Sequence, residues 1–362
     1  MKSSASQRTA EQIRQQFLHS PSAKVGDRLP RIQELARRYG VSVPTVSKAL
    51  GFLQAEGLLG TSKGAGTFIK SVPSAPSGVV PQRARTIGFI SNAFAPVVGQ
   101  KVLAGVTRTA ALHGCRVELA MTDWDQAEEK WHYQNMAKRG LDGVIVYPSV
   151  YAAGQAHYLS EILPDFPTVV IDLARPEMRR PSIVFDNWKA GVDMTQYLIN
   201  AGHHRIAFIG LGDSRSVGDR RFGYQRALAN ANIPYDETLI VDGVSALASK
   251  NFGAIIDGLL SLPSAPTAIM APSDQVAGFC LDYLEKCTGH KKPVVITGFD
   301  NVQTQEWRHR FPTTAPDFYN LGERAVDMLL RVIDAPSSFI SETVLPVPLV
   351  PFPSMERLHT QF

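Results

Sequence analysis

Cysteine is scarce: Cys115, Cys280 and Cys287 are the only three in 362 residues. None has metal-ligand spacing, so free thiols are expected and a disulfide framework is excluded. The chain also lacks any run near the roughly 18 apolar residues of a membrane-spanning helix. Its opening, MKSSASQRTAEQ, has no apolar core of the kind a secretory signal carries. A cytoplasmic location without a membrane partner is therefore expected. Gly-x-Ser-x-Gly, His-Glu-x-x-His and a phosphate-binding Walker loop are all missing. Gly210-Leu211-Gly212 follows a strand but has no third glycine to complete a dinucleotide loop. His203-His204 has no third ligand in spacing and suits a helix C-terminus better than a metal. No catalysis, no cofactor and no metal are expected.

What the chain does have is an uneven charge distribution. Residues 1–85 hold 13 Lys and Arg against 4 Asp and Glu, a net +9, while the whole chain is only +4. The remainder is therefore −5. A basic module on a mildly acidic body points to a polyanion as the first module's partner.

The first 70 residues read as three helices and a hairpin. Ile13, Phe17 and Leu18 sit at helical spacing in residues 7–19. RIQELARRYG follows, with Ile32, Leu35, Ala36 and Tyr39 on one face and Gly40 as C-cap. A third helix starts at Ser42, a good N-cap, and tolerates Pro44 in its first turn. Val46, Ala49, Leu50 and Leu53 form its buried stripe. Pro44, Lys48 and Gly51 then face outward, flanked by Thr45 and Ser47. Two helices joined by a short glycine-containing turn form a helix-turn-helix. Leu58-Leu59 and Thr67-Phe68-Ile69 flank GTSKGAG, a wing whose tip carries Lys63 and Gly64.

GDRLPRIQELARRYGVSVPTVSKALGFLQAEGLLGTSKGAGTF resembles the DNA-binding domain of the GntR family. The resemblance implies DNA contacts from Arg31 and Gln33, from Ser42, Val43, Pro44, Thr45, Ser47 and Lys48, and from Lys63 and Gly64. The chain departs from many members, which have Arg at the positions of Val43 and Ser47 and Ser at that of Arg31. VSVPTVSKAL is also similar to a LacI-family recognition helix.

Residues 71–85 (SVPSAPSGVVPQRAR), rich in proline and serine, read as a linker. From residue 86 to 354 apolar strands alternate with amphipathic helices. The expected strands are 86–91, 116–121, 143–148, 168–173, 182–185, 205–210, 267–272 and 294–299. So many parallel strands imply two successive α/β lobes. Ligands in such folds bind beyond the carboxyl ends of strands, here in the cleft between lobes. Asn92, Phe94, Asp123, Trp124, Asp172, Arg215, Arg221, Ser273, Asp274, Asp300 and Asn301 stand there. Asp accepts hydroxyls, Arg donates a fork and aromatic rings cover a sugar face. Asp274 is equally suited to capping the next helix, and Asp172 and Asp186 to structural roles at strand ends.

LDGVIVYPS, PTVVIDLA, AGHHRIAFIG, RRFGYQRAL, PTAIMAPSDQVAG and ITGFDN resemble the sensor domain of the LacI family, kin to periplasmic sugar-binding proteins. The resemblance implies pocket roles for Arg221 before Gly-[Phe/Tyr], for Asp300, for Ser273 at the usual Asn position and for Arg215. Ala93 stands where that family usually has an aspartate, and no DNA-hinge helix is present. The expected fold is α/β: an N-terminal winged helix-turn-helix plus a two-lobed, periplasmic-binding-protein-like sensor domain. The expected function is a ligand-responsive regulator, a repressor, binding double-stranded operator DNA as a homodimer under control of a sugar or related metabolite. A solute-binding protein and an architectural DNA-binding protein are the competing classes.

Overall fold

The computed structural model describes residues 5–18, 24–55, 57–62, 66–70, 84–92, 96–149, 157–212, 214–244, 252–286, 294–302, 307, 310–335 and 341–352. The chain divides into two compact units, Met1–Arg83 and Ala84–Phe362. Among the described residues no helix is long and apolar enough to cross a membrane.

In the first unit α1 (Ala5–Ile13) runs into a π-helical turn, Arg14–Leu18, and is followed by α2 (Ile32–Tyr39) and α3 (Val43–Ala55). The sequence pattern suggests an unbroken first helix to residue 19. The change of pitch at residue 14 instead accompanies full burial of Leu18, 1% exposed. Gly40 closes α2 at φ 63°, a left-handed position that glycine adopts without a Cβ penalty. Val46, Ala49, Leu50 and Leu53 are all buried against Ile13 and Leu35, as their spacing requires. The strands β1 (Leu59–Ser62) and β2 (Gly66–Ile69) form an antiparallel hairpin, and Arg28 bridges to Phe68.

The second unit begins with β3 (Thr86–Ser91), α4 (Pro96–Leu112), β4 (Arg116–Met121), α5 (Gln126–Lys138), β5 (Gly143–Tyr147), α6 (Tyr158–Glu161), β6 (Thr168–Ile171) and β7 (Ser182–Phe185). These make the first lobe. The chain crosses to the second lobe through α7 (Asn187–Asn200), β8 (Ile206–Leu211), α8 (Arg215–Asn230), β9 (Ile240–Val244), α9 (Phe252–Leu260), β10 (Ala268–Met270), α10 (Asp274–Lys286) and β11 (Val295–Thr297). It then passes through β12 (Thr313–Thr314) and returns to the first lobe with α11 (Phe318–Asp334) and β13 (Glu342–Leu345). The last strand, β14 (Leu349–Val350), pairs antiparallel with β12. The chain therefore passes between lobes three times.

The first lobe has a six-stranded sheet, β13-β7-β6-β5-β3-β4, and the second a four-stranded one, β11-β10-β8-β9. Every pairing in both is parallel. Continuous apolar runs such as Val169, Val170 and Ile171 are buried because helices cover both faces. One hydrophobic cluster runs through both lobes, joining Phe185, Phe318 and Ile183 to Tyr224, Phe208 and Met270.

Helices α7 and α8 cross closely because Gly191 and Gly223 meet at the crossing. A Cβ on Gly223 would lie 2.2 Å from the Trp188 carbonyl oxygen and 2.7 Å from the Val192 nitrogen. Backbone atoms cannot move aside as a side chain can. Gly223→Ala is therefore expected to cost about 1–3 kcal/mol, read as a lower urea midpoint. Gly218→Ala on the same helix, with open space around its Cβ, is expected to be neutral or slightly stabilising. Equal effects from the two would contradict the close crossing.

Candidate effector cleft and DNA-reading helix

On the first unit, α3 presents Val43, Pro44, Ser47 and Lys48 to solvent, with Thr45 half-buried beside them. The Ser42 hydroxyl accepts the Thr45 N–H at 3.4 Å and shares a 2.8 Å hydrogen bond with the Thr45 hydroxyl. This caps the helix and ties down two of the polar groups on the row. No acidic residue lies on α3. Arg31 and Gln33 are exposed at the start of α2. Lys63 and Gly64 lie outside the described residues.

In the second unit a small cavity sits where the chain crosses between lobes, and Asp172, Asn187, Arg220 and Asp300 supply its polar lining. Asp172 follows β6 in the first lobe. Arg220 lies on α8 in the second, and Asp300 just beyond β11. The Arg220 guanidinium donates from Nε to the Asn187 side-chain oxygen at 2.7 Å and from Nη1 to the Pro272 carbonyl at 2.9 Å. Its Nη2 stands 3.6 Å from the Asp300 carboxylate. The Phe299 ring lies 4.3 Å beneath the guanidinium carbon, a cation–π contact. Asp172 accepts the Tyr147 hydroxyl.

Asp300 keeps 22% of its side chain exposed. Even so, burial lifts its carboxyl to about 6 against the pull of Arg220, with Asp172 adding to the lift. Burial also raises Asp172, opposed by the Tyr147 hydroxyl and Arg220. Both residues adopt positive φ, 59° for Asp172 and 92° for Asp300, a costly region for side chains other than glycine. Asp123, Trp124 and Asn301 are likewise positive, at 46°, 66° and 48°. All five lie at carboxyl ends of parallel strands.

Residues 85–350 match the profile of periplasmic binding proteins and the sugar binding domain of the LacI family. The chain belongs to that family. Residues 5–69 match the profile of bacterial regulatory proteins of the gntR family. An arabinose metabolism transcriptional repressor of Geobacillus stearothermophilus is 27% identical over 339 residues, spanning 89% of this chain and 90% of the relative. An HTH-type transcriptional repressor PurR of Vibrio atlanticus is 26% identical over 311 residues, spanning 83% and 91%. Among solved structures, the transcriptional regulator CelR in complex with cellobiose has a TM-score of 0.64 at 22% identity, covering 89% of this chain and 98% of that one. At that identity the likeness shows the fold alone.

Within this LacI-family domain the sequence-based site residues fall into separate groups. Arg221, chosen as the pocket arginine, turns away: it pairs with Asp242 and donates to the Tyr235 hydroxyl at 2.7 Å. Its neighbour Arg220 takes the cavity position. The signal was present in RRFGYQRAL. Arg220 precedes the buried Gly223, Tyr224 and Ala227 by three, four and seven residues, which puts it on the buried face of α8. Arg215 is held outside the cavity by a two-pronged bond to Glu342 at 2.6 and 2.8 Å.

Asp274 is fully buried rather than capping: it accepts the Thr313 hydroxyl at 2.5 Å and the Val302 N–H at 2.8 Å. Ser273 supplies the cap instead, accepting the Val276 N–H at 3.3 Å. Asp186 caps α7 through the Lys189 N–H at 2.9 Å. Buried Asn92 donates to the Pro148 carbonyl at 3.0 Å, and its own carbonyl accepts the Trp124 N–H at 2.7 Å. These bonds join the ends of β3, β4 and β5. Trp124 remains 42% exposed. Phe94 lies outside the described residues. Sequence reasoning missed Arg220, Asn187, Tyr147 and Phe299.

It also missed Glu129, a fully buried carboxylate on α5 that accepts the Ser149 N–H at the end of β5. Burial pushes it from 4.5 up to about 7. The folded protein thus holds a proton there that the unfolded chain releases. The resulting stability is present at low pH and lost as pH rises through about 7. Glu129→Gln cannot ionise, so its melting temperature minus that of wild type is expected to grow between about pH 5 and about pH 8. A difference independent of pH would contradict the buried, protonated carboxyl.

Proposed function

We propose that the chain is an effector-responsive transcriptional regulator, a repressor, that binds operator DNA as a homodimer. Residues 1–70 read the duplex, residues 71–85 link, and residues 86–354 bind a small hydroxyl-rich metabolite between the lobes. The observation carrying this reading is Arg220 with Asp172 and Asp300 at the crossing between lobes, in a chain whose other module presents Lys48 on an acid-free helix. Lys48, Arg31 and Lys63 supply phosphate attraction, while Ser42, Val43, Pro44, Thr45, Ser47 and Gln33 meet base edges or position the helix. Gly64, having no Cβ, suits close approach of a backbone to a groove. The names of the relatives, an arabinose metabolism transcriptional repressor and an HTH-type transcriptional repressor PurR among them, support regulation over enzymatic work.

Effector changes DNA affinity only by the difference in its affinity for two arrangements of the protein, typically about 1–3 kcal/mol of coupling. The decisive experiment titrates full-length protein onto duplexes from upstream of its own gene and onto random duplex, at several salt concentrations, with and without sugars. A salt-dependent preference for one fragment, shifted by one sugar, is expected. Equal affinity for all fragments under every condition would overturn the reading. Lys48→Ala is expected to weaken binding to all duplexes and lower the salt slope by about 1. Arg220→Ala is expected to abolish the effector-induced shift, whereas Arg221→Ala keeps it. The opposite pattern for the two arginines would place the effector elsewhere.

A further inference from the structure

We infer that α11 carries effector occupancy toward the DNA-reading unit, through the ion pair that Asp334 at its carboxyl end makes with Arg85. This rests on the reading above that the cavity between the lobes is the effector site, and it concerns how that site regulates DNA binding.

Arg85 closes the joining segment and directly precedes β3. Its carbonyl accepts the Arg116 N–H at 2.8 Å, and the next N–H, that of Thr86, donates to the Asp142 carboxylate at 2.7 Å. Those bonds hold the start of β3 in the first-lobe sheet. The guanidinium instead donates to Asp334, in the last turn of α11. Arg85 holds the Asp334 carboxyl below its ordinary range, so the pair stays ionised at neutral pH. An exposed pair of this kind adds little stability, but it fastens the end of the joining segment to one particular helix.

The other end of α11 lies at the cavity. Phe318, its first residue, and Pro316 just before it line the same space as Asp172, Arg220 and Asp300. The 17 residues of the helix span roughly 25 Å. Along that length α11 is locked to α4. A Cβ on Gly322 would lie 2.3 Å from the Val102 carbonyl oxygen, and one on Gly105 would lie 2.1 Å from that of Tyr319. Backbone packed on backbone makes a helix pair that shifts as a body rather than yielding locally. At the end far from the cavity, His113 just after α4 stands 3.4 Å from Asp327 on α11. Both residues line one surface hollow with Arg85 and Asp334. A ligand that reseats Phe318 therefore displaces Asp334, and with it the point where the joining segment enters the unit.

The test uses the full chain, the upstream duplex that it prefers, and D-ribose, L-arabinose, D-galactose and D-glucose as probes. For wild type, one sugar is expected to change duplex affinity by about five- to 150-fold. Asp334→Asn is expected to cut that factor by about threefold or more. Its sugar affinity without duplex, and its duplex affinity without sugar, are expected to stay within about twofold of wild type. The swap Arg85→Asp, Asp334→Arg rebuilds the pair and is expected to restore the factor. Glu118→Gln, which breaks the comparably exposed pair with Arg139, is expected to leave it unchanged. An unchanged factor in Asp334→Asn, separate affinities that fall with it, a swap that fails to restore it, or an equal loss in Glu118→Gln overturns the inference and leaves the effector reading standing. A wild type that no sugar shifts overturns both.

Discussion

The second unit turns on one guanidinium held between acidic groups from two lobes. Arg220 is fixed by Asn187, the Pro272 carbonyl and the Phe299 ring, and faces Asp300 from its own lobe and Asp172 from the other. Removing any of the three charges unbalances the other two in a region where water screens poorly. The charge on this cluster therefore bears on how the lobes meet and on what enters between them.

Several unrelated features of the fold converge on that guanidinium. Gly191 and Gly223 let α7 and α8 approach until backbone touches backbone, which brings Asn187 at the start of α7 to Arg220 on α8. Asp172 and Asp300 lie just past the ends of β6 and β11, both at positive φ, and both line the cavity that holds Arg220. Phe185 and Phe318, at two of the crossings, pack edge to face with centroids 5.3 Å apart. This places an aromatic pair where the chain passes between the lobes.

Much of the architecture was legible because it is local. The stripe Val46, Ala49, Leu50 and Leu53 follows from helical period alone, and strands such as β3 and β7 follow from unbroken apolar runs. The short strands β12, β13 and β14 were not legible. Glu342 pairs with Ser182 across most of the unit's length, and four residues carry no pattern that predicts such a partner. At the cavity, adjacent arginines separated the motif from the geometry. Counting back from Gly223 by motif selected Arg221, whereas the helical face selects Arg220. Ser273 and Asp274 show the same limit. Either can cap a helix, and only tertiary partners, Thr313 and Val302, decide that Asp274 turns inward. Glu129 was invisible because a glutamate on a helix is ordinarily solvated.

The most direct check on the Arg220 cluster is a double-mutant cycle between Asp172 and Arg220, scored by urea unfolding of the full chain with Asp172→Asn, Arg220→Met and the pair. Groups facing each other across the lobes should give a coupling energy of about 1 kcal/mol or more. Effects that add to within about 0.3 kcal/mol would mean the two residues act independently, and the cluster would not join the lobes.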